Sequence, residues 1–188
     1  MKKILILLIV SLIILPCVIA KPFEWDIGIS GTYNKSFNSL VNHEKIKVGD
    51  FSFGVDTNVK LTLIDIQGNA LYSNINDESI LNGIISANLS LDIFIVRLCA
   101  GIGYDYRVNL VNGEWEIAGK TDFENFFDNP FYLRTAVEIL IGNLRVGPSA
   151  TYFTGMSLKD FFSNLGDVNW KSVLEGATFG LSFKFSLF

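Results

Sequence analysis

Apolar and polar positions alternate without a break over twelve residues near the carboxyl end of this chain. From Gly176 to Leu187, apolar side chains fall on every odd position and small or polar side chains on every even position. A period of two is that of a β-strand, whereas an amphipathic helix repeats its apolar positions every 3.6 residues. The segment therefore predicts a long strand with one apolar face and one polar face.

Seven further segments repeat this alternation, so the chain after residue 20 predicts eight strands in all. Gly142-Asn143 has the composition of a two-residue hairpin turn. Short turns are also expected at Asp56-Thr57-Asn58 and near Asp92-Ile93-Phe94. The seven predicted strands run over about 25–33, 51–55, 59–72, 81–91, 96–108, 131–141 and 144–153.

The connections between these strands alternate in length, which is typical of outer-membrane barrels with their long loops outside the cell. Short turns are expected near 57, 93 and 142, and longer polar segments over about 34–47, 73–80, 109–130 and 154–174. The polar strand faces are rich in Gly, Ser and Asn, which suits a crowded narrow lumen. A soluble barrel or sandwich is the alternative, because a period of two does not say which face lies inside.

The first twenty residues predict a cleaved signal peptide. Lys2 and Lys3 precede an apolar run from Ile4 to Pro16 that is too short to span a bilayer comfortably, and Val18-Ile19-Ala20 suits a leader peptidase. Lipidation of Cys17 is disfavoured, because Pro16 stands where a small residue is expected. We therefore divide the chain into a signal peptide, 1–20, and one barrel domain, 21–188.

Composition and charge narrow the classes of protein that remain. The chain is 49% hydrophobic, yet after the leader no apolar run approaches the ~20 residues of a membrane helix. Cleavage would leave 13 of the 15 basic residues against 19 acidic ones, a formal charge of −6. This balance argues against a nucleic-acid partner.

The leader, the strand count, the loop asymmetry and the terminal segment Gly180 to Phe188 together resemble the small eight-stranded outer-membrane barrels. That group includes the transmembrane domain of outer-membrane protein A. The resemblance covers the whole mature chain and implies an all-β fold, an eight-stranded antiparallel up-and-down transmembrane β-barrel. Members of the group end in an aromatic residue that the barrel assembly machinery recognises, and Phe188 matches it. In these proteins the apolar positions of the last strand usually alternate in phase with that terminal residue. Here they are out of phase with it and fall on Phe183, Phe185 and Leu187.

Charged residues on the polar strand faces predict an ion-pair network inside the barrel, because isolated buried ions are very costly. Five basic and five acidic side chains share this face, so they can pair and fill the lumen. A narrow, gated ion pathway in which the pairs exchange partners is the alternative. The predicted network comprises Asp26, Asp56, Asp65, Arg97, Asp105, Arg107, Arg134, Glu138, Arg145 and Lys184.

Two loops carry apolar side chains. The third, about 109–130, places Trp115, Phe123, Phe126 and Phe127 among acidic residues, and exposed aromatic residues can mark a binding surface. The alternative is that they fold over the barrel mouth or touch the lipid interface. The fourth loop predicts one short helix from Ser157, as N-cap, to Leu165, which must pack against the rest of the protein because it is too short to be stable alone.

No motif in the chain predicts a catalytic, metal or cofactor site. His43, the only histidine, lies beside Glu44 in the first long loop, and Asp77-Glu78-Ser79 lies in the second. A lipid-modifying enzyme could use such groups, but their spacing is not diagnostic. We therefore expect no enzymatic activity and no cofactor.

The sequence favours a structural or surface-interaction barrel that acts through its long extracellular loops. A narrow channel for small ions or solutes is the alternative, and a lipid-modifying enzyme or a soluble ligand-binding barrel is more remote. The expected location is the cell outer membrane. The expected partners are outer-membrane lipid, the barrel assembly machinery and an extracellular protein or matrix ligand.

Overall fold

A computed structural model of the chain describes residues 22–41, 46–75, 78–111, 114–118, 129–163 and 169–188. Eight long strands form the wall of a barrel, and one short strand, β6, extends it at one end. In chain order the strands are β1 (Phe23–Tyr33), β2 (Phe51–Leu61), β3 (Ile64–Ile75), β4 (Glu78–Ile93), β5 (Val96–Val111), β6 (Glu114–Ala118), β7 (Pro130–Ile141), β8 (Leu144–Ser157) and β9 (Thr178–Ser186).

The eight long strands close into an antiparallel up-and-down barrel. Each pairs with its neighbours in the chain, β5 pairs directly with β7, and the pairing of β1 with β9 closes the ring. In this cyclic order β1 and β5 are four strands apart and therefore face each other across the lumen. The predicted fold class is confirmed.

Polarity in this barrel is inverted relative to a water-soluble protein. Ile29, Phe53 and Leu89 point outward and are 63%, 59% and 65% exposed, whereas Asp26, on the inward face, is fully buried. Burial of the charged face excludes the soluble alternative, which would place the apolar face inside. The exposed apolar wall is the surface that a lipid environment requires.

Three two-residue turns join strands at one end of the barrel, which we call the turn end. They are Thr62-Leu63, Phe94-Ile95 and Gly142-Asn143. The last was predicted correctly and the second lies within one residue of its prediction. The turn predicted at Asp56-Thr57-Asn58 is wrong, because β2 continues through it and pairs with both β1 and β3.

The opposite end, which we call the loop end, differs from the sequence prediction in two connections. The second connection spans only residues 76–77 rather than a loop over about 73–80, because β3 and β4 pair up to Ile75 and Glu78. The third is not wholly a loop, because β5 reaches Val111 and pairs with β6. In both places, residues that the sequence assigned to a loop belong to paired strands.

In the described part of the chain, three short α-helices lie at the loop end: α1 (Phe37–Val41), α2 (Leu158–Ser163) and α3 (Trp170–Glu175). The predicted start of α2 is confirmed, since the Ser157 hydroxyl accepts a hydrogen bond from the Asp160 N–H at 3.1 Å and donates one to its carboxylate at 2.8 Å. Within the residues described, no helix has the length and apolar character needed to cross a membrane.

Four inward glycines allow the strands to approach closely enough to close this small barrel. A Cβ atom added at Gly28, Gly54, Gly101 or Gly147 would lie 1.8–2.1 Å from a carbonyl oxygen of the neighbouring strand. No side chain fits at such a distance. Glycine kinks of this kind let a sheet bend sharply and close into a barrel.

Candidate functional site

The lumen near the turn end is crossed by a network of buried ion pairs centred on Arg97. This residue extends from β5 to β1 on the opposite wall, where its Nη2 pairs with Glu24. Its Nε donates to Asp92 Oδ1 at 2.6 Å, and Asp92 also pairs with Lys60. The side chains of Arg97 and Lys60 are fully buried. One connected group of charges therefore spans the width of the barrel.

Arg145, on β8, joins the same group from the side. Its Nη2 lies 2.7 Å from Glu24 Oε1, and its Nε lies 2.8 Å from Asp26 Oδ2. Arg97 Nη1 lies 3.6 Å from the same Asp26 oxygen. Two guanidinium groups thus share two carboxylates. Each buried charge lies beside opposite charges, which offset the cost of removing it from water.

Further pairs continue the network toward the middle of the barrel. Lys184 Nζ lies 2.6 Å from Glu138 Oε1. The amide of Gln67 donates to both oxygens of Asp56, at 2.7 and 2.8 Å, and the amide of Asn58 donates to Asp65 at 3.2 Å. Charged pairs and amide-capped carboxylates therefore alternate along the inner wall.

Several buried polar atoms of this network have no hydrogen-bond partner within the described part of the chain. They include Asp65 Oδ1, Glu138 Oε2, and the Nη1 atoms of Arg97 and Arg145. Such atoms carry a desolvation cost unless water or another group satisfies them. These atoms are the part of the network that other protein groups do not satisfy by hydrogen bonds.

Of the ten residues predicted to form the network, the structure buries eight inside the barrel, including Arg134, for which the described residues provide no ion pair. Asp105 was predicted to lie inside the barrel, but its side chain is exposed. The ladder between β5 and β7 ends at Gly103 and Tyr132, so the inward face at Asp105 already lies at the open mouth. The side chain of Arg107 lies outside the described residues.

Sequence reasoning missed Glu24, Lys60 and Asp92, which hold the network together at the turn end. Glu24 and Asp92 are each one step of two residues beyond a position already assigned to the polar face, and Lys60 is two such steps beyond Asp56. Lys60 was lost because the turn placed at 57 ended its strand too early. Extending the alternation to the true turns would have found all three.

The predicted loop surface is only partly within the described structure. Trp115 lies on β6 opposite Leu110 rather than in a loop, and its side chain is not described. Phe123, Phe126 and Phe127 lie outside the described residues. His43, Glu44 and Asp77 also do. Ser79 lies on β4, and its hydroxyl bonds to the Tyr72 hydroxyl at 2.9 Å.

Helix α2 packs on the outer face of the barrel rather than across its mouth. Phe161 packs edge to face against Phe131, with their ring centroids 5.2 Å apart, and both belong to a buried cluster with Tyr104. Phe131 alternates with the inward Tyr132 and Arg134, so its side of β7 is the outward one. Phe162 is 72% exposed. The predicted short helix is therefore anchored on the outer wall through Phe161.

The terminal aromatic residue leaves the β9 ladder, which accounts for its unusual phase. β9 ends at Ser186, and the Leu187 N–H then donates to the Trp25 carbonyl at 2.8 Å. The Phe188 ring lies 6.4 Å from the rings of both Phe23 and Trp25. Phe188 thus joins an outward aromatic group at the turn end, although the alternation would point it inward.

Metal ligation and thiol chemistry are two other kinds of site that buried side chains could form. Among the residues that the structure describes, no three His, Cys, Asp or Glu side chains are grouped so that they could hold a metal ion. The Cys99 thiol is buried in the lumen and donates to Ser90 Oγ at 3.6 Å. The site consists of buried charges and amides on the inner wall of the barrel.

Comparisons with known proteins found similarity in structure but not in sequence. No protein-family model matches the chain, and no curated protein matches its sequence. Among solved structures, the chain is similar to Neisserial surface protein A, with 10% identity and a TM-score of 0.46. The match covers 88% of this chain and 96% of that one.

Proposed function

We propose that this protein is an outer-membrane barrel with a closed lumen, which acts as a structural or surface-interaction protein through its loop end. The inverted polarity supports insertion in a membrane, since only lipid makes an outward wall of Ile, Leu and Phe favourable. The leader predicted over residues 1–20 directs the chain out of the cytoplasm. The turn end then faces the periplasm and the loop end faces outward.

One observation supports a closed lumen more than any other: Arg97 on β5 pairs with Glu24 on β1, the strand directly opposite. Arg145 and Lys60 enter the same cluster from other sides. An eight-stranded barrel has an interior just wide enough to be filled by side chains. A connected set of buried charges at one level leaves little room for a solute.

Membrane insertion is tested first, with the protein after removal of its leader. The expected result is a protein that needs detergent, gives a heat-modifiable band on electrophoresis and shows strand-rich circular dichroism. A protein that stays folded and soluble without detergent would contradict the proposal at its base.

Closure is tested by planar-bilayer recording of the purified barrel. The wild-type protein should give no reproducible unitary current, because the network blocks the lumen. Arg97→Ala should introduce small currents if it folds. Lys171→Ala is the control, since Lys171 is 84% exposed on α3, remote from the lumen.

A narrow gated channel is the second candidate, favoured by the unpartnered atoms of the network. Arg97 Nη1, Arg145 Nη1 and Asp65 Oδ1 could exchange partners and hold water, as ion pathways require. Unitary currents in the wild type, altered by Arg97→Ala or Glu138→Ala, would establish this function in place of the first.

The partner-binding surface is proposed to lie on the third loop. Its acidic and aromatic composition between about 113 and 128 supports contact with an extracellular protein or matrix ligand. Deletion of that stretch should leave a folded barrel and abolish any binding that the intact protein shows, because it removes only β6, which lies outside the closed ring of eight strands, and the segment that follows it. Unchanged binding after the deletion would remove this surface from consideration.

A further inference from the structure

The helices at the loop end place aromatic side chains on the outer wall of the barrel. On α1, the Phe37 ring packs edge to face against Phe179 of β9, with ring centroids 5.5 Å apart. On α2, the Phe161 ring packs in the same way against Phe131 of β7, and its centroid lies 5.9 Å from that of Trp170 on α3. Phe131 and Phe179 both occupy outward positions of their strands. We call α1, α2 and α3 the helix collar, which covers the side of the barrel formed by β7, β8 and β9.

The collar lies at one boundary of the apolar band on the outer wall. Along β7 the outward positions from Phe131 to Ile141 are apolar, apart from Thr135. Ten residue steps of ~3.3 Å, on a strand tilted by roughly 40°, give a height of about 25 Å, which is the height of the lipid-facing band in outer-membrane barrels. Phe131 is the outward position of this band nearest the loop end. Because α2 packs on Phe131, the collar lies at the level where acyl chains give way to lipid head groups.

The end of β8 directs the chain outward to this level. A register shift interrupts the ladder between β7 and β8 near the start of β7. Gly155 has a φ of 67°, a left-handed conformation that glycine adopts without a steric cost. The Thr154 hydroxyl donates a hydrogen bond to the Phe131 carbonyl at 2.6 Å, and Met156 and Leu158 pack against the cluster around Phe131. Strand residues therefore hold α2 against the outer wall.

Each helix of the collar leaves an aromatic ring exposed. The exposed fractions are 72% for Phe162, 46% for Trp170 and 45% for Phe37. On α3 an exposed ion pair, Lys171 with Glu175 at 3.8 Å, lies roughly 100° and 140° around the helix axis from Trp170. A helix with aromatic residues on one side and charges on another suits the interface between a bilayer and water, where Trp rings are enriched.

We propose that the helix collar is a lipid-binding surface, in which Phe37, Phe162 and Trp170 insert at the boundary between acyl chains and head groups of the leaflet at the loop end. The partner is the bilayer itself, because Val137 and Leu181, exposed outward positions of the covered strands, continue the same surface toward the turn end. This inference rests on the membrane placement proposed above. It assigns the first and fourth loops to lipid contact and leaves the third loop for an extracellular partner.

The test is quenching of tryptophan fluorescence by lipid. The mature protein is refolded into vesicles of phosphatidylcholine that carries bromine near the top of one acyl chain, and into the same vesicles without bromine. The chain has three tryptophans, so Trp25→Phe combined with Trp115→Phe leaves Trp170 alone. Its emission should be shifted to the blue relative to the urea-unfolded protein, and its intensity should fall in the brominated vesicles.

Two further proteins lack all three native tryptophans, each replaced by Phe. The first carries Phe162→Trp and should be quenched, because this position on α2 is expected to contact the same lipid. The second carries Lys171→Trp and is the matched control. Its tryptophan follows Trp170 directly in the chain but lies on the charged side of α3, so its intensity should not depend on bromine.

Trp25 separates this inference from the membrane placement on which it rests. It lies outward on β1 and is 40% exposed, so the protein in which it is the sole tryptophan should be quenched in any inserted barrel. Quenching of Trp25 without quenching at either collar position would overturn the lipid-binding collar and leave membrane placement intact. No quenching of Trp25 would overturn membrane placement. A detergent-solubilised dimer that Phe162→Ser converts to a monomer would assign the exposed rings to a second copy of the chain instead of lipid.

Discussion

Arg97 and Glu24 pair across the full width of the barrel, from two strands that face each other in the closed ring. Because this pair joins opposite walls, it affects both the stability of the barrel and passage through the lumen. Arg97 also pairs with Asp92, and Glu24 also pairs with Arg145. The same relationship that supports a closed lumen therefore also makes the network costly to break.

Removal of Arg97 should destabilise the barrel strongly. Arg97→Ala leaves Glu24, Asp26 and Asp92 without one of their cations, and loss of one partner of a buried pair costs about 3–5 kcal/mol. Urea unfolding in lipid vesicles, followed by tryptophan fluorescence, measures the change. Lys171→Ala, which breaks an exposed pair at 3.8 Å, should change stability by less than about 0.5 kcal/mol. Similar effects of the two variants would show that the lumen pairs are not coupled to folding.

The inward glycines should tolerate no side chain. Gly54→Ala places a Cβ 1.8 Å from the Ala70 carbonyl oxygen, so β2 and β3 cannot keep their register. The heat-modifiable folded form should be lost or reduced to a small fraction. Gly68→Ala is the control on the adjoining strand, where the nearest atom is 3.8 Å away, and it should fold normally. A folded Gly54→Ala barrel would show that the strand bend is not required for closure.

The turn at Thr62 should be improved by glycine. Thr62 has a φ of 56°, a left-handed conformation that a β-branched residue adopts at a cost of order 1 kcal/mol or more. Thr62→Gly should therefore raise the free energy of unfolding by about 1 kcal/mol. Gly142→Ala is the reverse test, because Gly142 has a φ of 61° in the equivalent turn and should lose a similar amount. A destabilised Thr62→Gly variant would indicate that the threonine side chain contributes more than the strain costs.

The two adjacent phenylalanines of α2 should differ sharply. Phe161 is buried against Phe131 and lies 5.9 Å from Trp170, whereas Phe162 is mostly exposed. Phe161→Ser should detach α2 from the outer wall and expose the fourth loop to protease. Phe162→Ser should leave the cleavage rate close to that of the wild type. Equal sensitivity of the two variants would place the anchor of this helix elsewhere.

The alternation of residues by itself determined that the chain is all-β, that it has eight long strands and which face of each strand is apolar, but not which face lies inside. These follow locally, because in a strand the backbone places successive side chains on opposite faces whatever the rest of the chain does. The cap at Ser157 and the turn at Gly142-Asn143 are local in the same sense. Eight of the ten side chains of the predicted lumen network are buried, a placement that required only the phase of each strand.

Only the tertiary structure decided where strands end, which charges meet and what covers the outer wall. The chain contains a plausible turn at Asp56-Thr57-Asn58, but ladder pairing on both sides of β2 overrides it and moves the turn to Thr62-Leu63. Arg97 and Glu24 are 73 residues apart, and the closed ring of eight strands places them on facing walls. Local sequence specifies the face of a side chain, whereas pairing and closure, which are long-range, specify its neighbours.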